Sequence, residues 1–168
     1  MAKYLERNTT SGQVTEITGL VTSAGGADAG KIAQLDGAGR FDTSLMPVGL
    51  GADTFTSTAS GALSAGDLVY ITGTGLIARA SGAAAGNAAH GFVLAASATS
   101  AAATMYFEGR NTAVTALTPG TRYYLADATA GALTATPVSG AGKLHQFVGR
   151  AVTATSLDFE ADDAILLA

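Results

Sequence analysis

The chain of 168 residues has no cysteine and no tryptophan, and only three prolines. Without cysteine there is no disulfide framework and no thiolate metal site, which fits a reducing compartment. Three prolines beside 22 glycines exclude a collagen repeat and a Pro-Gly linker. Charge is scarce too, at 13% of residues, while 48% are hydrophobic. That balance excludes charge-driven disorder and leaves a weakly charged surface of the kind that assemblies hide. The nine basic residues are scattered, the net charge is −4 and the sequence pI is about 4.9. Lys3 and Arg7 come closest to a cluster, so direct binding to a nucleic-acid backbone is not expected. The opening Met-Ala-Lys-Tyr-Leu-Glu-Arg-Asn reads as lacking an apolar signal core. The weakly polar run Ala83 to Phe107 is alanine-rich and broken by Asn87, His90, Ser97, Thr99 and Ser100, so no membrane span and no membrane partner are expected.

What the chain does contain is an echo. Ala62 to Glu108 and Ala116 to Glu160 both open with Ala-Leu-Ser/Thr-x-Gly and continue into an apolar run containing tyrosine. Both then pass a Ser-Gly-Ala spacer to His-x-Phe-Val and close on Phe-Glu. A drift of about two or three residues between matched positions puts the differences in loops and the matches in strands, as in a duplicated β unit. The length suffices for one domain with a core shared by two half-units.

Along the chain, Lys3 to Ser23 reads as an extended arm or strand, with Thr9-Thr10-Ser11-Gly12 as a turn signal. Ser23 to Gly30 has linker composition. Asp36-Gly37-Ala38-Gly39 between Ile32, Leu35 and Phe41 predicts a hairpin turn. Thr43 or Ser44 is expected to cap one helical turn stopped by Pro47. From Thr54 the reading is nearly all strand: Asp67–Thr72, Leu76–Ala80, Ala89–Ala96, Thr104–Glu108, Thr121–Ala126, Ala132–Thr136, Leu144–Thr153 and Ser156–Phe159. The apolar Ala164 to Ala168 is expected to pair or dock. The predicted class is therefore all-β, a compact β-sandwich or small barrel built from two tandem β repeats, with an extended N-terminal arm. The boundaries are 1–53 for the arm and 54–168 for the duplicated domain, with repeats about 62–108 and 116–160.

No residue pattern demands chemistry. His90 and His145 sit at matched places in the echo, so duplication accounts for them as strand residues. Asp158, Glu160, Asp162 and Asp163 lack the glycine-containing loop of a calcium hand and read as a solvated strand end. There is no Gly-x-Ser-x-Gly elbow, no phosphate loop, and no helix after Gly73, Gly75 and Gly82 to make a dinucleotide fingerprint. Tyr70, Tyr123 and Tyr124 read as packing residues. Neither a catalytic residue, a cofactor nor a metal is expected.

Two stretches carry a resemblance. Gly30-Lys31-Ile32-Ala33-Gln34-Leu35-Asp36-Gly37-Ala38-Gly39-Arg40-Phe41-Asp42-Thr43-Ser44-Leu45-Met46-Pro47 is similar to a string found in fibre and head-associated proteins of tailed bacteriophages. Leu117 to Ala151 resembles the small β domains of the same proteins, and Ala62 to Glu108 resembles phage capsid decoration (cement) proteins. The resemblance implies a structural virion surface protein, commonly a homotrimer, assembled in the host cytoplasm and partnered with the major capsid protein and itself. Two repeats without heptads or a long shaft favour decoration over fibre. The alternative is a short head or tail fibre whose β knob binds host-surface carbohydrate. An enzyme acting on polysaccharide through the C-terminal carboxylates is the third reading. The expected contacts with capsid or a neighbouring copy are Lys3, Tyr4, Leu5, Arg7, Arg40, Phe41, Leu45 and Met46.

Overall fold

The computed structural model describes residues 3–8, 10–46 and 52–168, and it is all-β. The chain divides into two compact units, Met1–Gly51 and Ala52–Ala168.

In the first unit, β1 (Lys3–Arg7) and β2 (Val14–Thr18) form an antiparallel hairpin in which Leu5 faces Glu16 and Tyr4 faces Ile17. The Asn8 carboxamide shapes the turn by accepting the Thr10 and Ser11 amides at 2.8 and 2.9 Å. The predicted hairpin at Asp36 does not form, since no described strand flanks it. The Asp36 carboxylate takes the Ala38 and Arg40 amides at 2.8 and 2.9 Å, and the Asp36 amide donates to the Arg40 carbonyl at 2.8 Å, so the turn closes on itself without a ladder beyond it. The residues before it are engaged elsewhere, with Leu20 bridging Ala33 in parallel. The cap is also one residue earlier than expected. Asp42, not Thr43 or Ser44, caps the 3-10 turn Thr43–Leu45, accepting the Ser44 amide at 2.9 Å. That contact with Ser44 holds the Asp42 carboxyl below the usual carboxylate range. Pro47, the expected stop, lies outside the described residues.

The second unit holds two five-stranded antiparallel sheets. The first contains β3 (Thr54–Thr58), β4 (Leu68–Ile71), β5 (Ile77–Arg79), β6 (Gly91–Val93) and β7 (Ala102–Tyr106), in the order β3-β7-β6-β4-β5. The bridge from Ala59 to Ile77 ties its two outer strands together, so this sheet curls toward a barrel. The second contains β8 (Gly109–Asn111), β9 (Arg122–Leu125), β10 (Leu133–Thr134), β12 (Phe147–Thr153) and β13 (Ser156–Phe159), in the order β8-β13-β12-β9-β10. Strand for strand the two orders are the same. Each sheet takes its outermost strand, β3 or β8, from upstream of the sequence echo. A two-residue pair, β11 (Leu144–His145) with β14 (Ile165–Leu166), secures the C-terminal run that was expected to pair.

The ladders correct one alignment. Val69 pairs with Gly91 and Leu68 with Phe92, while Tyr123 pairs with Gly149 and Arg122 with Arg150. The structural counterparts of Gly91-Phe92-Val93 are therefore Gly149-Arg150-Ala151, not the Gln146-Phe147-Val148 of the matching motif. An irregularity between Phe147 and Gly149 takes up the difference. His90 accordingly falls just outside β6 rather than on a strand, and its Nδ1 accepts the Ile71 amide at 3.2 Å. In the second repeat the matching amide, Leu125, donates to the Gln146 carbonyl at 3.0 Å. An imidazole nitrogen thus replaces a backbone acceptor, which gives His90 a structural job.

Three apolar clusters fill the unit. Leu63, Val69, Val93 and Met105 line the inside of the first sheet, and their counterparts Leu117, Tyr123, Ala151 and Leu157 line the second. The third cluster lies between the sheets: Leu68, Ala80, Ala89 and Phe92 meet Leu125, Val148 and Phe159. The sheets therefore stack front to back. The outer face of the first is buried by the inner side of the second, and the outer face of the second has no sheet over it.

One polar side chain pins this stack. Gln146 is buried; it accepts the Ala89 amide at 2.8 Å and donates to the Ala89 and Asp162 carbonyls at 3.0 and 3.1 Å. Gln146→Leu should lower stability by about 3 kcal/mol, because Ala89 keeps a buried donor and acceptor without partners. Urea unfolding measures this, and an unchanged midpoint would refute the role.

Candidate functional site

Apolar exposure singles out the first unit. Of the exposed large apolar side chains, Leu5, Val14, Ile32, Leu35, Phe41 and Met46 belong to it, against Val152, Ile165 and Leu166 in the second. Leu5 is 74% and Val14 60% exposed, and among the unit's described residues no apolar side chain larger than glycine is buried. The unit is held by polar means. They include the hairpin ladder, the Asx contacts of Asn8, Asp36 and Asp42, and the Ser23 amide on Ser44 Oγ at 2.8 Å. An Asp28–Lys31 ion pair at 2.8 Å adds to them and holds the Asp28 carboxyl below its ordinary range. A two-stranded hairpin with no apolar core and no disulfide is marginal in water.

β1 sets out the expected contact residues by simple alternation. Lys3, Leu5 and Arg7 share one face with Val14 and Glu16 of β2, and Lys3 pairs with Glu16 at 3.1 Å. Tyr4 lies on the other face beside Ile17, both half-buried. Among the described residues, neither outer edge of the hairpin is paired to another strand. Arg40 and Phe41 follow the Asp36 turn, exposed, and Leu45 ends the 3-10 turn before Met46. The structure thus gathers the first four expected residues on one strand and leaves the other four on a separate segment around the 3-10 turn. Val14, Ile32 and Leu35 belong with them by exposure. The residue pattern of Val14-Thr15-Glu16-Ile17-Thr18 does not mark Val14, whose place on the face of Leu5 comes from the register that pairs it with Arg7.

The second unit offers no chemistry of comparable shape. His90 and His145 each lie against the tyrosine of their own repeat, with Tyr70–His90 centroids 6.2 Å apart and Tyr124–His145 centroids 5.2 Å apart. Asp158, Glu160, Asp162 and Asp163 are all exposed. Among the described residues, no three His, Asp or Glu side chains are grouped as metal ligands, and no helix is long and apolar enough to cross a membrane. No protein-family model matches the chain, and no curated protein matches it.

Proposed function

We propose that this protein is a structural, non-enzymatic component of a tailed-phage virion. In this reading it sits on the outer surface of the capsid and stabilises the shell by bridging major capsid protein subunits. The observation that carries the reading is the division of labour between the units. The second unit has its own core, whereas the first presents Leu5, Val14, Ile32, Leu35, Phe41 and Met46 to solvent. The resemblance of Gly30 to Pro47 to phage head and fibre proteins points the same way.

The mechanism is strand addition at the open edges of β1 and β2 together with burial of these side chains. Covering six half-exposed apolar side chains supplies roughly 5–10 kcal/mol gross. Association consumes about 4–15 kcal/mol, so apolar burial alone gives weak attachment. Main-chain pairing and attachment at more than one subunit junction have to supply the rest.

The test is a chain that starts at Ala52. It should keep the cooperative unfolding of the β domain and lose particle binding by at least about 100-fold, and Leu5→Asp with Phe41→Asp in the full chain should weaken binding in the same direction. Full occupancy of particles by the shortened chain would defeat the proposal. Hundreds of copies per particle fit decoration, and a handful would move the reading to a fibre.

A further inference from the structure

The basic residues that look scattered in the sequence are not scattered on the β domain. Beyond Ala52 they are Arg79, Arg110, Arg122, Lys143 and Arg150. Arg79 is paired with Asp67 at 2.8 Å, and Lys143 is paired with Asp127. The other three share one line across the second sheet. Arg122 of β9 pairs with Arg150 of β12, Arg150 with Asp158 of β13, and Asp158 with Arg110 of β8. All four are exposed, and none belongs to the described ion pairs. Arg122 and Arg150 are like charges set directly opposite in a ladder, an arrangement that destabilises a sheet. Arg122 lies over the Phe147 ring at 4.5 Å, and Arg150 donates to the Gly120 carbonyl at 2.7 Å.

The same face changes sign across its width. Toward β8 and β13 three carboxylates, Glu108, Asp158 and Glu160, outnumber the single guanidinium of Arg110, and they line one open depression with Gly109 and Phe159. Half-exposed Phe147 and Tyr124 pair with each other on β12 and β9, on the side of Arg150 toward Glu160. The centres of the arginine pair and of the Glu108–Glu160 pair are about 12 Å apart, taking the usual strand spacing and rise. This is also the face that has no sheet over it, the counterpart of the Leu68–Phe92 surface that the second sheet covers in the first.

We infer that this face is a two-fold contact between two copies of the chain. A two-fold axis in the contact plane, midway between the arginine pair and the glutamate pair, lays each copy's arginines on the other's glutamates. The guanidinium groups then gain carboxylate partners that offset the Arg122–Arg150 repulsion, and Phe147 comes near the axis. It uses none of the residues proposed for the N-terminal contact, so it stands whether or not the chain binds a capsid.

Sedimentation velocity on the full chain tests it. A dimer is expected at low ionic strength, dissociating as salt is raised. Arg122→Glu with Arg150→Glu leaves Arg110 as the one cation of a net acidic face, and Glu108→Lys with Glu160→Lys leaves Asp158 as the one carboxylate of a net basic face. Each double variant alone should raise the dimer dissociation constant at least about tenfold, with its unfolding midpoint kept. Mixing the two should restore a mixed dimer. A wild-type chain that stays monomeric at high concentration would overturn the inference. So would a trimer indifferent to both variants, or two variants that fail to recombine.

Discussion

Replacing Gly149 with alanine is expected to unfold the β domain or to lower its stability by more than about 4 kcal/mol. A Cβ at this position would stand 2.2 Å from the Asp158 carbonyl oxygen, and φ here is +151°, a conformation that L side chains rarely adopt. The obstacle is backbone, not a flexible side-chain end, so the β12–β13 ladder would have to open to relieve it. Gly91, the structural counterpart, makes the same demand in the first sheet, with the Tyr106 carbonyl 2.3 Å from a built Cβ. Both glycines lie where an inner strand must approach its neighbour closely, which is why the duplication has glycine in both copies. Gly73→Ala, at a turn where nothing lies within 4 Å, is the control and should change stability by less than about 1 kcal/mol. Guanidinium unfolding of the two variants decides the matter. A Gly149→Ala midpoint equal to wild type would show that the ladder register is not as described.

Phe92→Ala should cost about 3–5 kcal/mol, whereas Arg150→Ala at the matching position of the second sheet should change stability by no more than about 0.5 kcal/mol. Phe92 is fully buried, stacks on Tyr106 with centroids 5.6 Å apart and meets Phe159 at 5.4 Å. Its removal leaves a cavity between the two sheets that neither can close without giving up its own interior. Arg150 projects from a face with no sheet over it, and its truncation ends the repulsion with Arg122. The contrast between equivalent positions, about sixfold or more, follows from front-to-back stacking. If the repeats instead packed as a symmetric pair, both substitutions would be severe. Thermal or chemical unfolding of the two variants, side by side, reads the difference directly.

Much of the architecture was legible in the residues. Alternating and two-sided apolar runs placed most strands of both repeats, and the echo placed their correspondence except at His-x-Phe-Val, because side chains that must fill equivalent interiors keep similar character. Leu63 with Leu117 and Met105 with Leu157 show this. The short strand β8 was not legible. Gly109-Arg110-Asn111 has no apolar alternation, since it is positioned by pairing with β13 and by Asn111, whose side chain donates to the Gly66 carbonyl at 3.0 Å. The Asp36 turn was legible as a turn but not as a closed side-chain loop, because nothing local shows that its flanks lack a ladder partner.

The sequence by itself determined the all-β class, the duplication and the scarcity of charge, since these depend on composition and short-range pattern. Only the tertiary structure decided which copy of the repeat is covered. Phe92 and Arg150 occupy the same place in their sheets, and their difference makes sense only when one sheet packs over the other. It likewise decided that Arg110, Arg122 and Arg150, far apart along the chain, stand in one row. Strand order sets neighbours across a sheet, and strand order is a long-range property that residue spacing does not carry.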